Sequence, residues 1–242
     1  MSILTNYIKL MGISLSCAQI DQLYHYRSIL IEWNKNINLT AINDPEEILL
    51  KHFLDSISVH IAEPIIDDET FKIIDIGSGA GFPGLVIKIV FPTSKVTLLE
   101  ATNKKVNFLR FVKKELGLMD LNIIESRAEI AAHNSLFREN FDLVVSRGVA
   151  KLPTLSELTL PFCKINGVCV LHKGPNADTE VSDSLTAIKQ MGGNKTELFP
   201  ISQELDIPEN KTVFVKITKS RKTPGNFPRA DGKPKKRPLK NV

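Results

Sequence analysis

From Phe71 to Gly84 the chain reads Phe-Lys-Ile-Ile-Asp-Ile-Gly-Ser-Gly-Ala-Gly-Phe-Pro-Gly. A short, β-branched run, unbroken by turn residues, reads as a strand buried on both faces. Gly77, Gly79 and Gly81 then allow a sharp turn and leave no Cβ between backbone and ligand. The apolar run Leu85–Phe91, closed by Pro92, is the body of a following helix. Strand, glycine turn and helix form the first crossover of a parallel sheet, whose ligand sits at the strand's carboxyl end. Few folds can hold such a stretch.

The ligand is the next question. Gly79–Gly84 matches the letters of the G-x-G-x-x-G dinucleotide fingerprint, but the first glycine after the strand is Gly77. Asp75, at the strand end, is expected to point toward the site. A carboxylate there opposes a pyrophosphate, which wants bare N–H groups at a helix end. It suits S-adenosylmethionine, which carries an ammonium and a sulfonium and no phosphate. Asp75-x-Gly77-x-Gly79-x-Gly81 resembles the first motif of class I S-adenosylmethionine methyltransferases. A nucleotide-binding fold and a purely structural turn remain open at this point.

The rest of the chain fits a layered α/β protein. Lys95–Glu100 is a second buried strand, and Glu100 falls about where such sheets place the acid for ribose hydroxyls, a register that NAD sites share. Leu121–Glu125, Phe141–Val145 and Gly167–Lys173 read as further strands, and Thr196–Ile201 with Thr212–Thr218 as a closing hairpin. Helices are expected over Lys104–Leu116, with Val106, Leu109, Phe111, Val112 and Leu116 inward, over Leu155–Phe162 and over Thr179–Met191. The predicted fold is a Rossmann-like, seven-stranded, mostly parallel sheet with one antiparallel strand. Before it, residues 1–66 form a helical extension, in which Asp44 caps a helix that begins at Pro45. His52 and Asp55, three apart, share a side of that helix. Residues 67–220 make up the catalytic unit and 221–242 a basic tail.

Charge is unevenly placed. Residues 216–242 hold 10 of the 31 Lys and Arg residues and a single acid, Asp231, so the body before them is net −5. A basic end on an acidic body points to a polyanionic partner, and its Pro- and Gly-rich composition suggests that it has little to bury. Cys17, Cys163 and Cys169 have neither disulfide nor zinc spacing and read as reduced thiols of a cytoplasmic protein. No apolar run approaches the roughly 20 residues of a membrane helix, and no signal-peptide layout opens the chain. Neither a metal nor a dimer is expected.

The exit loops narrow the chemistry. Pyrimidine carbon 5 methylation needs a cysteine, and none sits in a strand-exit loop. The Asn/Asp-Pro-Pro-aromatic loop common in amine methylation is replaced after the fourth strand by Ser146-Arg147-Gly148-Val149. Guanine N7 loses no proton on attack, and its N7 and O6 are acceptors for a positive fork. Arg147 and Lys173, at neighbouring strand ends, could form one. Arg147 could equally pair with Asp75 or Glu129, and Lys173 could be a solvated surface lysine.

The motifs Asn38-Leu39-Thr40-Ala41-Ile42, His52-Phe53-Leu54-Asp55-Ser56, Asp75–Gly84, Arg127-Ala128-Glu129, Ser146-Arg147 and Lys173-Gly174 occur in order. Thr223–Arg229 and Gly232-Lys233-Pro234 follow in the tail. Together they resemble the RsmG (GidB) family of bacterial small-subunit ribosomal RNA methyltransferases, over residues 30–238. Gly148 stands where many relatives are expected to carry alanine. The resemblance implies methyl transfer from S-adenosylmethionine to N7 of a guanine in 16S rRNA, in the 530 loop at position 527, free or within the small subunit. It implies donor contacts at Gly77, Phe82, Ala128, Glu129 and Arg147, to which Gly79 and Glu100 are added from the residues themselves. Asn38, His52, Asp55, Arg127 and Arg229 are offered as substrate-side residues, and Arg147 and Lys173 as the catalytic pair. The competing readings are a small-molecule methyltransferase and an NAD-binding oxidoreductase.

Overall fold

The structure, a computed structural model, describes residues 3–207 and 209–239. Seven strands form one sheet in the order β3-β2-β1-β4-β5-β7-β6. They are β1 Lys72–Ile76, β2 Lys95–Glu100, β3 Leu121–Glu125, β4 Phe141–Arg147, β5 Cys163–Lys173, β6 Gly193–Pro200 and β7 Val213–Lys219. β1 to β5 are parallel, and β7 runs antiparallel between β5 and β6. The order reverses between β1 and β4, which opens a crevice at their carboxyl ends.

The central strands are apolar on both sides because both faces of the sheet are covered. One face packs against the N-terminal helices and the helices Gly84–Val90 and Asn103–Glu115. Leu4, Ile8, Leu23 and Leu30 share this core with Ile73, Val96 and Val145. The other face packs against Leu152–Thr159 and against the C-terminal Phe227. Within Asn103–Glu115 the fully buried aromatic is Phe108, not the expected Phe111, which lies at the surface against Trp33. The expected helix over Thr179–Met191 is two short ones, Ala177–Ser182 and Leu185–Gln190.

Asp44 caps its helix as expected, its Oδ1 accepting from the N–H groups of Glu46 and Glu47 at 3.0 and 2.9 Å. The helix then widens into a π turn over Leu49–Leu54 before resuming at Asp55. Such turns frequently mark functional sites, and His52 lies inside this one.

The C-terminal segment departs most from expectation. It has much to bury. Thr223, Phe227 and Pro234 are inside. The Arg138 guanidinium donates to the carbonyls of Thr223, Pro224 and Phe227 at 2.8–3.1 Å. Buried Lys219 donates to Glu139, to the Leu160 carbonyl and to Thr223 Oγ1.

Candidate active site

Asp75 shapes the site from behind. It is fully buried, and its Oδ2 accepts from the Gly84 N–H at 2.9 Å. The expectation that it points into the crevice is therefore corrected: it caps the helix that follows the glycine turn. Burial, above all, lifts its carboxyl from the usual carboxylate range to about 7. The case against a pyrophosphate survives in altered form, because the N–H at this helix start already has a carboxylate partner.

The turn itself carries positive φ at Gly77, Gly79 and Gly81. A Cβ on Gly77 would lie 2.5 Å from Val149 Cγ2 of the β4 exit loop. The turn is pinned by Glu100, whose Oε2 accepts from Gly79 N–H at 2.9 Å while Oε1 accepts from Thr102 N–H at 2.7 Å. Across the loop, the Tyr26 hydroxyl donates to the Ala80 carbonyl. Tyr26 is a contact that the helix periodicity alone does not reveal.

Two cavities meet at Gly77. The larger, about 640 Å³, lies over the ends of β1, β2 and β4. Gly77, Glu100, Arg127, Ala128 and Glu129 line it, with Ile76, Leu99 and Leu158 as apolar walls. The smaller, about 200 Å³, is lined by Leu39, Thr40, His52, Gly79, Phe82 and Arg147. Gly77, Lys105 and Gly148 belong to both. Gly79, Phe82 and Arg147 thus border the smaller space and not the larger one. Gly148 adopts φ +70, a backbone conformation that favours glycine.

Arg147 is the centre of the smaller cavity. Its Nη1 donates to Asp55 Oδ2 at 3.0 Å and to the Lys51 carbonyl at 3.3 Å. Its Nη2 lies 3.2 Å from His52 Nδ1, and its guanidinium carbon sits 4.8 Å from the centre of the Phe82 ring. The partner is Asp55, not Asp75 or Glu129. Asp55 is 5% exposed and holds Arg147 from behind. His52 stacks on Phe82 at 4.6 Å, and its Nε2 lies 2.7 Å from Thr40 Oγ1. Thr40 is a lining residue that sequence reasoning passed over in favour of Asn38. Asn38 itself is exposed and lines neither cavity.

Two further expectations are corrected. Lys173 is not beside Arg147 in a fork: its Nζ is paired with Glu180 at 2.7 Å and donates to the Ala150 carbonyl at 3.1 Å, bracing the β4 exit loop. Arg229 lies in neither cavity. It grips the fully buried carboxylate of Glu157 through Nε and Nη2, at 2.5–3.1 Å, because an acid at that depth demands a partner. Arg127 is exposed, 4.0 Å from Asp231. Glu129 Oε1 accepts from the Gly232 N–H at 3.1 Å, so the C-terminal segment reaches the large cavity, where Asp231, Gly232, Lys235 and Lys236 form part of the wall.

Burial is the largest cause pushing both His52 and His172 down to about 4, with the Arg147 charge adding to it. Both rings are neutral at pH 7. Since the unfolded chain takes up these protons near 6.5 and the folded chain only near 4, stability present above about pH 6.5 is lost as the pH falls toward 4. His172→Phe is expected to flatten that acid limb in melting temperature against pH; an unchanged limb would refute the assignment.

A phosphate-free donor fits the larger cavity. A glycine turn lets the backbone come close, an acid pins it, and a second acid stands at the far end. Fold and cleft together define a class I S-adenosylmethionine-dependent methyltransferase. Solved structures share the architecture: an S-adenosylmethionine-dependent O-methyltransferase of Thermotoga maritima (TM-score 0.53, 16% identity, 80% of this chain and 72% of that one) and M. jannaschii TYW2 in complex with AdoMet (TM-score 0.51, 16% identity, 69% and 76%). At such identities they speak for the fold alone.

Sequence relatives are closer. The family described as rRNA small subunit methyltransferase G (GidB) matches residues 19–205. Proteins named ribosomal RNA small subunit methyltransferase G from Acetivibrio thermocellus and Dehalococcoides mccartyi are 43% and 44% identical. The matches span 94% and 95% of this chain and 92% and 95% of theirs. The chain belongs to the rRNA small subunit methyltransferase G family, and its methyl donor is S-adenosylmethionine. The oxidoreductase alternative falls with that result.

Proposed function

We propose that this protein methylates N7 of a guanine in 16S rRNA, at position 527 of the 530 loop, within the free RNA or the small subunit. The observation that carries the choice of atom is the makeup of the smaller cavity. It presents the Arg147 guanidinium and no carboxylate or thiol among its lining residues. His52 is a poor base there, because burial pushes its ring down to about 4 and its Nε2 is already engaged with Thr40. Such a space cannot take up a proton from an amine or hydroxyl. N7 has none to lose.

The donor supplies a methyl group on a sulfonium and would be held by Gly77, Glu100, Ala128 and Glu129. Catalysis then consists mainly of alignment, worth about 7 kcal/mol or more in well-oriented reactions. Arg147 donates to the acceptor lone pairs of the purine edge. Phe82 and His52 fix that guanidinium from one side, Asp55 and the Lys51 carbonyl from the other. The small cavity suits a base drawn out of its stack. The segments share the work: 1–66 and 67–220 together line the acceptor cavity, through Thr40 and His52 on one side and Phe82 and Arg147 on the other, while 67–220 and 221–242 together line the donor cavity. The protein works in the cytoplasm as a monomer.

Incubation with labelled donor and undermethylated 16S rRNA or small subunits should yield N7-methylguanine, read by nucleoside mass spectrometry. Label on adenine or cytosine alone would refute the reading.

A further inference from the structure

We propose that the C-terminal segment from Thr223 to Arg237 serves both ligands at once: its inner side completes the donor cleft, its outer side takes RNA phosphates, and the two therefore bind cooperatively. This rests on the rRNA reading above. The inner side is a matter of contacts. Gly232 donates to Glu129, the Thr154 hydroxyl donates to the Pro234 carbonyl, and Asp231, Lys235 and Lys236 border the cleft. Further back, the segment is held by Arg229 on Glu157 and by His133, whose Nε2 lies 2.8 Å from the Pro228 carbonyl.

The outer side is a matter of charge. Lys233 and Arg237, which line neither cavity, are exposed, as are the outer parts of Lys235 and Lys236 at the cleft's rim, and none of the four has an ion-pair partner among the described residues. Four cations crowd one helical turn and its end, where like charges repel. That repulsion penalises the docked segment, and hence the complete cleft, when no polyanion is near. RNA phosphates remove the penalty and release counterions as they do so. A ligand that needs the docked segment binds more weakly by the fraction of molecules in which it is docked. RNA raises that fraction for the donor, and by linkage the donor raises it equally for RNA.

The test is a binding cycle on the full chain. Calorimetry measures the Kd of S-adenosylhomocysteine alone and with a saturating 16S rRNA fragment bearing the 530 loop. RNA should lower that Kd about fivefold or more. In Lys233→Ser/Arg237→Ser the ratio of the two Kd values should fall toward one, with the melting temperature as a check on folding. Hydrogen exchange in residues 229–237 should slow when S-adenosylhomocysteine is added by itself. A ratio of one in the unmodified chain, or an undiminished ratio in the variant, overturns the coupling. The second outcome would place any cooperativity at the acceptor cavity instead. Independent binding of both ligands sinks only this inference; failure of S-adenosylhomocysteine to bind, or of guanine to be methylated, sinks the reading beneath it.

Discussion

Replacing Arg147 with alanine should lower turnover on 16S rRNA by on the order of 10²-fold, the scale seen when a preorganised donor is removed from a water-poor site. The guanidinium is the one cation fixed on four sides of the smaller cavity, by Asp55, Lys51, His52 and Phe82. Its charge has nowhere else to go. Removing it also strands the Asp55 carboxylate, which is buried and whose Oδ1 already lacks a partner. Breaking such a pair can cost about 3–5 kcal/mol, so activity and stability must be read separately. Arg147→Lys keeps a cation for Asp55 but loses the planar fork. It should melt near the parent temperature and still turn over at least tenfold more slowly. Parental turnover in a folded Arg147→Ala protein would remove this residue from the mechanism.

The second large effect should come from one methyl group. Gly84→Ala places a Cβ 2.4 Å from Leu98 Cδ2, 2.8 Å from Asp75 Cβ and 2.9 Å from Asp75 Oδ2. The leucine tip could swing aside; the aspartate, held in the central strand β1, could not. Overpacking of this kind costs about 1–3 kcal/mol, and a displaced Gly84 N–H leaves a buried carboxylate unmet for about 1–3 kcal/mol more. The variant should lose roughly 3 kcal/mol in denaturant unfolding and bind S-adenosylhomocysteine poorly even when folded, because the same shift moves the glycine turn. Full stability in Gly84→Ala would show that Asp75 and Gly84 are not the wedge described here.

These two residues illustrate what the sequence discloses. The strands Lys95–Glu100 and Leu121–Glu125 were legible to the residue, because a buried parallel strand announces itself as a short apolar run with a polar stop. The glycine turn was legible because its backbone requirements leave few other residues possible. The direction of Asp75 was not, since period alone cannot say whether a strand-end carboxylate faces a ligand or the helix behind it. Arg147 was found by its place on an exit loop, yet its partner Asp55 lies 92 residues earlier, on a helix whose π turn has no sequence signature. Arg229, offered as a substrate residue, and Lys173, offered as a catalytic one, line neither cavity, and for a common reason. Each answers a buried or half-buried acid, Glu157 or Glu180, and that need becomes visible only once the chain is folded. The C-terminal segment misled through composition: proline, glycine and lysine read as solvated, while its carbonyls are what Arg138 collects.

The placement of that segment has a consequence for how the protein comes to life during synthesis. Domains fold roughly in the order in which they emerge from the ribosome, but one wall of the larger cavity is contributed by Asp231, Gly232, Lys235 and Lys236. A nascent chain that has already built all seven strands still lacks that wall. It lacks, too, the Arg229 side chain that answers the buried Glu157 carboxylate and the carbonyls that Arg138 collects, so the cavity and the core beneath it are completed by one and the same event.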